Sequence, residues 1–285
     1  MNLPYLTTKN INAFIKNALA EDIGDGDHSS LGSIPEDAIS EAHLIIKDDG
    51  MIAGLELAEK IFNHIDKNLE ISFNKKDGDL IESGEIGFSV KGSSRSILSA
   101  ERLVLNCLQR MSAIATYTHH MNQLIKGSKA RLLDTRKTTP LFRLAEKWAV
   151  VIGGGVNHRF GLYDMVMLKD NHIDFAGGVK NAINQTVAYL KENNLQLNIE
   201  VEVRSLKELE EVLEVGQVNR VMLDNMLPSD IRQAIKMIGG RFETEASGGI
   251  TEKTIAEIAE TGVDYISVGA LTHSYKSLDM SLKAI

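Results

Sequence analysis

Apolar positions in the first third of the chain follow two different periods. Ile11, Phe14, Ile15, Ala18 and Leu19 recur at helical spacing, with Thr7 or Thr8 placed to cap, and predict an opening helix. Three short runs then alternate apolar with polar: Ala42, Leu44 and Ile46; Leu69, Ile71 and Phe73; Ile86, Phe88 and Val90. Alternation of that kind predicts strands. Turn chemistry separates them at Asp48-Asp49-Gly50, Asp77-Gly78 and Ser83-Gly84. A long helix is expected from about Ser96 to Ile125. This half reads as α+β, a small antiparallel sheet with helices.

Beyond residue 130 the pattern changes to strand, loop, helix, repeated. Strands are expected at Ala130–Leu133, Asp164–Leu168, Asn198–Val203, Asn219–Leu223, Phe242–Ala246 and Asp264–Val268. Helices are expected at Leu141–Trp148, Val179–Leu190, Leu206–Val215, Ser229–Ile238 and Thr251–Thr261. The last four strands begin about every 22 residues, the length of a βα unit with tight loops. Such alternation predicts a parallel sheet, and this many units a barrel. The continuous apolar run Val221-Met222-Leu223 suits a strand buried on both faces.

Composition narrows the classes of function. A chain of 285 residues, 43% hydrophobic and 25% charged, has room for two domains or one large barrel with an appendage. Its 31 Lys and Arg against 39 Asp and Glu leave a formal charge of −8, which disfavours nucleic acid and anionic membrane as partners. No apolar run approaches a membrane span, and the first residues lack a basic-then-apolar signal pattern. Cys107 is the single cysteine, so neither a disulfide within the chain nor a cysteine zinc site is expected. A cytoplasmic protein is the expectation.

In a β/α barrel, chemistry gathers where the strands end. The residues expected there are Asp134-Thr135-Arg136-Lys137, Lys169-Asp170-Asn171-His172, Glu202 with Arg204, Asp224-Asn225, Ser247-Gly248-Gly249 and Gly269-Ala270. Arg136, Lys137, Arg159 and Lys169, with His158, make a cationic group in an acidic protein, which points to a polyanionic ligand. Glu200 and Glu202 lie two apart and share one strand face. Glu202 and Asp224 suit Mg²⁺ or sugar hydroxyls, whereas an ion pair with barrel lysines competes as the role of Glu200. The glycines of Ser247–Gly249 and Gly269 free backbone N–H groups for phosphate. Other signals carry less. Gly153-Gly154-Gly155 lacks dinucleotide-fold spacing and is expected to turn sharply or approach a ligand. Asp25-Gly26-Asp27 reads as a turn, His119 and His120 as solvated, and Cys107 and Trp148 as core.

Taken together, Asp134–Thr138, Gly153–Arg159, Gly161–Asp164, Leu168–His172, Glu200–Glu202, Leu223–Asn225, Ser247–Ile250 and Val268–His273 resemble quinolinate phosphoribosyltransferase. Glu21–Asp27 and Glu101-Arg102 are similar too, so the likeness runs along essentially the whole chain. The resemblance implies an N-terminal open-faced α/β sandwich, residues 1–112, and a C-terminal incomplete β/α barrel of the type II phosphoribosyltransferase kind, residues 113–271. The tail, 272–285, would return to the sandwich. It implies a homodimer in which Arg102 reaches the partner's quinolinate. Arg136, His158, Arg159 and Lys169 would hold the two quinolinate carboxylates, with Thr135 beside them. Lys137 would lie between that ligand and 5-phosphoribosyl 1-diphosphate. Glu202 and Asp224 would approach the ribose and Mg²⁺, and Ser247, Gly248, Gly249, Gly269, Ala270 and Leu271 would receive the 5-phosphate. Val151-Ile152 and Val156 depart from the Arg-Cys and Lys that the family favours, and His28-Ser29-Ser30 departs from a hydrophobic residue followed by Thr-Ser.

The implied reaction is displacement of diphosphate by the pyridine nitrogen, followed by loss of the 2-carboxylate as CO₂. Glu202 and Asp224 would stabilise the positive charge at the ribose. Lys137 and water both remain open as the proton donor to carbon 2. A molybdenum-transport-associated pyrophosphorylase homologue and a non-catalytic phosphate binder are the competing readings. Gly78–Gly84 resembles the hairpin of biotin and lipoyl carriers but lacks an attachment lysine turn.

Overall fold

A computed structural model describes residues 3–285. The first helix, α1 (Thr8–Ile23), opens where the Thr7 hydroxyl accepts the Asn10 N–H at 3.1 Å, and it buries Ile11, Ile15 and Leu19. A second, α2 (His28–Ser33), starts at Asp27, whose carboxylate accepts the Ser30 N–H at 3.1 Å. Asp27 is thus a helix cap within what the sequence presents as a plain turn.

Next come β1 (Ile39–Ile46), β2 (Gly50–Met51), α3 (Leu55–Ile65), β3 (Glu70–Phe73), β4 (Leu80–Ile81), β5 (Ile86–Ser93) and the long α4 (Ser94–Leu124). The apolar alternation places β1, β3 and β5 as expected; α3 is an addition. Gly54 at its start offers no capping side chain. Instead the Asp77 carboxylate, from the turn before β4, accepts the N–H groups of Gly54, Leu55 and Glu56 at 2.7, 2.9 and 3.3 Å. Phe62 of α3 then meets Phe88 of β5 edge-on, with ring centroids 5.8 Å apart. Ser112 and Thr116 of α4 accept the N–H groups of Ala53 and Met51 at 2.9 and 2.8 Å, tying that helix to the segment ahead of α3.

The remaining chain runs β6 (Arg131–Leu133), α5 (Arg143–Ile152), β7 (Val166–Leu168), α6 (Asp170–Ala176), α7 (Val179–Glu192), β8 (Ile199–Val203), α8 (Leu206–Val215), β9 (Arg220–Asp224), α9 (Pro228–Ile238), β10 (Glu243–Ser247), α10 (Ile255–Ala259), β11 (Tyr265–Ser267), α11 (Ala270–His273) and β12 (Met280–Ala284). Every strand expected in this half is present within two residues at its start. Helix α6 is additional, and α10 is shorter than Thr251–Thr261. Gly153 allows a close approach of backbones: a Cβ there would lie 2.5 Å from the Ala115 carbonyl oxygen of α4.

Three sheets result. An antiparallel sheet has the order β12-β1-β5-β3, and β12 runs along β1 from Ile46↔Met280 to Ala42↔Ala284. Strands β2 and β4 form a small antiparallel pair. Six parallel strands have the order β6-β11-β10-β9-β8-β7. The outer strand β6 is extended by an isolated parallel bridge between Leu133 and Val156, so this sheet is an incomplete barrel with β6 and β7 at its ends. All five residues of β8 are buried, as a strand covered on both faces requires.

By their contacts, these elements form two compact units. One takes in the chain up to His119, Lys137–Gly154 and Ala270–Ile285, and holds the antiparallel sheet with α5 and α11; the other takes in His120–Arg136 and Gly155–Gly269, and holds the parallel sheet.

Candidate active site

The parallel unit collects charge at the ends of its strands. After β6, Asp134 is fully buried and clamps the neighbouring segment, accepting the Asn157 side-chain N–H at 2.6 Å and the His158 backbone N–H at 2.8 Å. Two exposed cations follow, Arg136 and Lys137, behind a half-buried Thr135. Arg159, one residue beyond His158, is half-buried, and its guanidinium donates to the Met165 carbonyl at 3.2 Å. Burial, with the Arg136 charge beside it, holds Arg159 below the usual arginine range. Two cations crowded together in this way invite an anion between them.

Lys169 follows β7 directly and caps α6, its N–H donating to His172 Nδ1 at 3.0 Å. Its ammonium lies 3.8 Å from Glu202 Oε2. Burial pushes Glu202 up from the ordinary carboxyl value; the charges of Asp224 and Asp170 add to this and Lys169 opposes it. Asp224 accepts the Asn225 side-chain N–H at 2.6 Å. Asn225 takes a left-handed backbone, φ 53°, and donates its N–H to the Ser247 carbonyl at 2.8 Å. Its carboxamide sits over Gly248, where a Cβ would lie 2.3 Å from Asn225 Oδ1, so the β9 and β10 loops interlock only around a glycine. Gly249 and Gly269 complete the glycine positions at these strand ends.

Arg136, Arg159, Lys169, Glu202, Asp224, Ser247, Gly248, Gly249 and Gly269 therefore share one unit and one end of its sheet. Arg102, exposed on α4, and Lys137, Ala270 and Leu271 belong to the other unit. Lys137 and Ala270 each follow a mouth residue directly in the chain, and the Lys137 carbonyl accepts the Thr272 hydroxyl at 2.9 Å. Val156, where the family favours lysine, makes the β6 bridge.

His158 is 7% exposed and faces inward, its Nε2 being 2.8 Å from Glu200 Oε2 and 3.4 Å from Glu245 Oε2. Glu200 thus pairs with a histidine and not with a barrel lysine. Burial and the Glu245 charge push Glu200 up to about 7. Burial opposes a charge on His158 and the two carboxylates favour one, raising the imidazole. The Arg159 N–H donated to Nδ1 keeps that nitrogen unprotonated and holds the proton on Nε2, between ring and carboxylates. Glu245 and its partner Arg220, whose Nη1 is 3.2 Å away, were not singled out from the sequence. The available signal is spacing, since Glu245 precedes Ser247 by two, as Glu200 precedes Glu202.

Glu202 and Asp224 suit Mg²⁺, which takes one or two carboxylates and completes its shell with substrate phosphates and water. Burial chiefly raises Glu202, and the Asp224 charge adds a smaller repulsion that a cation would relieve.

Fold and site define an α/β-barrel enzyme that takes multiply charged anionic substrates. Residues 19–112 and 114–283 match, in order, the N-terminal and C-terminal domains of the family described as quinolinate phosphoribosyl transferase. The chain is 48% identical over 295 residues to the chloroplastic, carboxylating nicotinate-nucleotide pyrophosphorylase of Arabidopsis thaliana, covering 98% of this chain and 84% of that one. A probable enzyme of the same name from Bacillus subtilis is 41% identical, covering 92% and 89%. Among solved structures, NadC from Streptococcus pyogenes superposes with a TM-score of 0.91 at 41% identity, covering 98% and 99%. The nicotinate-nucleotide pyrophosphorylase of Francisella tularensis gives 0.88 at 38%, covering 98% of each chain. The chain belongs to the quinolinate phosphoribosyltransferase family.

Proposed function

We infer that the protein transfers the phosphoribosyl group of 5-phosphoribosyl 1-diphosphate to quinolinate and decarboxylates the adduct, yielding nicotinate mononucleotide, diphosphate and CO₂. It is then a decarboxylating pentosyltransferase of NAD biosynthesis. The observation that carries this reading is the mouth itself: crowded cations beside a carboxylate pair and glycine loops, at one end of a parallel sheet, in a chain matched to the family over nearly its full length.

In the proposed complex Arg136, Arg159 and Lys169 hold the two pyridine carboxylates, with His158 beneath them and Thr135 alongside. Ser247–Gly249, Gly269, Ala270 and Leu271 receive the 5-phosphate through backbone N–H groups. Mg²⁺, held by Glu202 and Asp224, would supply charge neutralisation for the departing diphosphate. The same carboxylates stabilise the positive charge that develops at the ribose carbon as the diphosphate bond lengthens. The pyridine nitrogen forms the new bond and becomes cationic. Carbon 2 then releases CO₂, the electron pair left behind is stabilised by the adjacent ring nitrogen, and a proton from Lys137 or water replaces the carboxylate. We further propose a homodimer in which Arg102 completes the partner's site, and a cytoplasmic setting. The one cysteine, Cys107, is buried with its thiol pushed up to about 12, and needs no oxidising compartment.

Incubation with quinolinate, 5-phosphoribosyl 1-diphosphate and Mg²⁺, followed by mass spectrometry, should detect nicotinate mononucleotide. Nicotinate in place of quinolinate should be a poor substrate, because losing one carboxylate leaves desolvated cations unpaired at a cost of about 2–3 kcal/mol or more. Comparable turnover of the two acids would refute the two-carboxylate assignment.

A further inference from the structure

Beneath the mouth, inside the parallel sheet, lies a charged cluster that the reaction as described does not use. Glu200 and Glu245 are both 0% exposed, so neither can touch a substrate from where it stands. Apolar residues of similar volume would fill a barrel interior at no desolvation cost. Each carboxylate lies two residues before a mouth residue on its own strand, Glu202 on β8 and Ser247 on β10, and so shares its strand face. Between them sits the His158 ring, and the three groups' ligand atoms lie within 4.8 Å of one another.

Contacts reach that ring from every side. Nε2 faces the two carboxylates, and Nδ1 accepts the Arg159 backbone N–H at 2.6 Å. The backbone N–H of His158 is held by Asp134 at 2.8 Å. A neutral ring with its proton on Nε2 satisfies the contacts at both nitrogens at once, whereas a proton on Nδ1 would turn the Arg159 N–H away. Behind the carboxylates stands Arg220, the first residue of β9. Its guanidinium meets Glu245 at 3.2 Å, Glu243 at 2.9 Å, and the Tyr265 ring with 4.1 Å to the centroid. Arg220 thus enters the cluster from the strand end opposite the mouth.

We propose that Glu200 and Glu245, backed by Arg220, are positioning residues for quinolinate: they fix the orientation and tautomer of His158, whose Nδ1 in turn fixes the backbone from which Arg159 reaches the ligand. The proposal rests on the reading of Arg159 as a carboxylate ligand. Its consequence is selective. Loosening the cluster weakens the hold on quinolinate and leaves the phosphoribosyl half, built from Glu202, Asp224 and the glycine loops, as it was.

Glu245→Gln and Glu200→Gln keep volume and remove the charge, and steady-state kinetics with each substrate varied separate the possibilities. The expected result is a KM for quinolinate raised about tenfold or more, with the KM for 5-phosphoribosyl 1-diphosphate and kcat each within about threefold of wild type. Added to His158→Ala, Glu245→Gln should raise the quinolinate KM no further, because the two substitutions break one chain of contacts. If the Gln variants do not fold, Arg220→Lys, which keeps the charge and loses the fork, should give the same split in smaller measure. An unchanged quinolinate KM in the folded variants, both KM values rising together, or additive losses with His158→Ala would each overturn the proposal. So would a stoichiometric metal ion in the purified protein that disappears with Glu245→Gln, since the cluster would then be a metal site. Arg159→Ala serves as the separate control. If it leaves the quinolinate KM unchanged, the assignment of the ligand site fails, whatever the cluster variants do.

Discussion

Arg136 and Arg159 stand close enough for the first to depress the second, a repulsion that removal of Arg136 relieves. Replacing Arg136 by alanine should therefore leave the thermal midpoint within about 2 °C of wild type, or raise it, while the quinolinate KM rises about tenfold to a hundredfold. Arg136→Lys should fail comparably, because a point charge does not replace a planar fork. Kinetics and a melting curve on the same samples test both halves; a large loss of cooperative unfolding would assign Arg136 to structure. At this scale the exposed mouth residues were legible, because strand ends can be counted from periodicity. The buried partners were not. That His158 turns inward toward Glu200 and Glu245 depends on three separate strands and loops meeting, and only the two-residue spacings Glu200/Glu202 and Glu245/Ser247 hint at it.

Helix α3 shows how an element escapes a local reading. It buries Leu55, Leu57, Ala58, Ile61 and Phe62, yet its start carries Gly54 in place of a capping side chain. The cap is Asp77, 23 residues further along the chain from Gly54. Asp77→Ala should destabilise the protein by about 1–2 kcal/mol in chemical denaturation, the usual cost of a lost helix cap. Burial pushes the Asp77 carboxyl upward despite three N–H donors, so a neutral acceptor is tolerable there and Asp77→Asn should recover most of the loss. An alanine variant as stable as wild type would show that α3 holds without its cap. The short α10 has a comparable cause. The Thr251 N–H is taken by the Thr254 side chain at 3.0 Å, and that local turn delays the helix to Ile255. Helix α6 follows β7 with only Lys169 between them, so in the sequence it is indistinguishable from a mouth loop.

Over the whole molecule, the parallel alternation and the small antiparallel sheet were both readable, since each is a repeated local period. Pairing between distant segments was not: β12 beside β1 followed only from family likeness. The proposed dimer belongs to this scale. If Arg102 acts in the partner's site, Arg102→Ala and Lys137→Ala chains should each be nearly inactive alone. Coexpressed under different tags and purified as a hybrid, they should recover activity at one site of the two, because one site collects both defects and the other neither. A folded hybrid dimer as inactive as its parents would show that Arg102 does not act across subunits.

The return of β12 also bears on the order in which the protein is made. Asp279 donates its N–H to Asp48 at 2.8 Å across 231 positions, and Met280 begins the strand that flanks β1. As the chain leaves the ribosome, β1 therefore emerges long before its neighbour exists, and the edge along Ala42 to Ile46 stays open throughout. The parallel unit, whose segments all lie between those two strands, is synthesised in full during that interval. Closing so long a loop is a slow, non-local step. Completion of the antiparallel sheet thus waits for β12, and the exposed β1 edge is the stretch that a nascent-chain chaperone would have to shield.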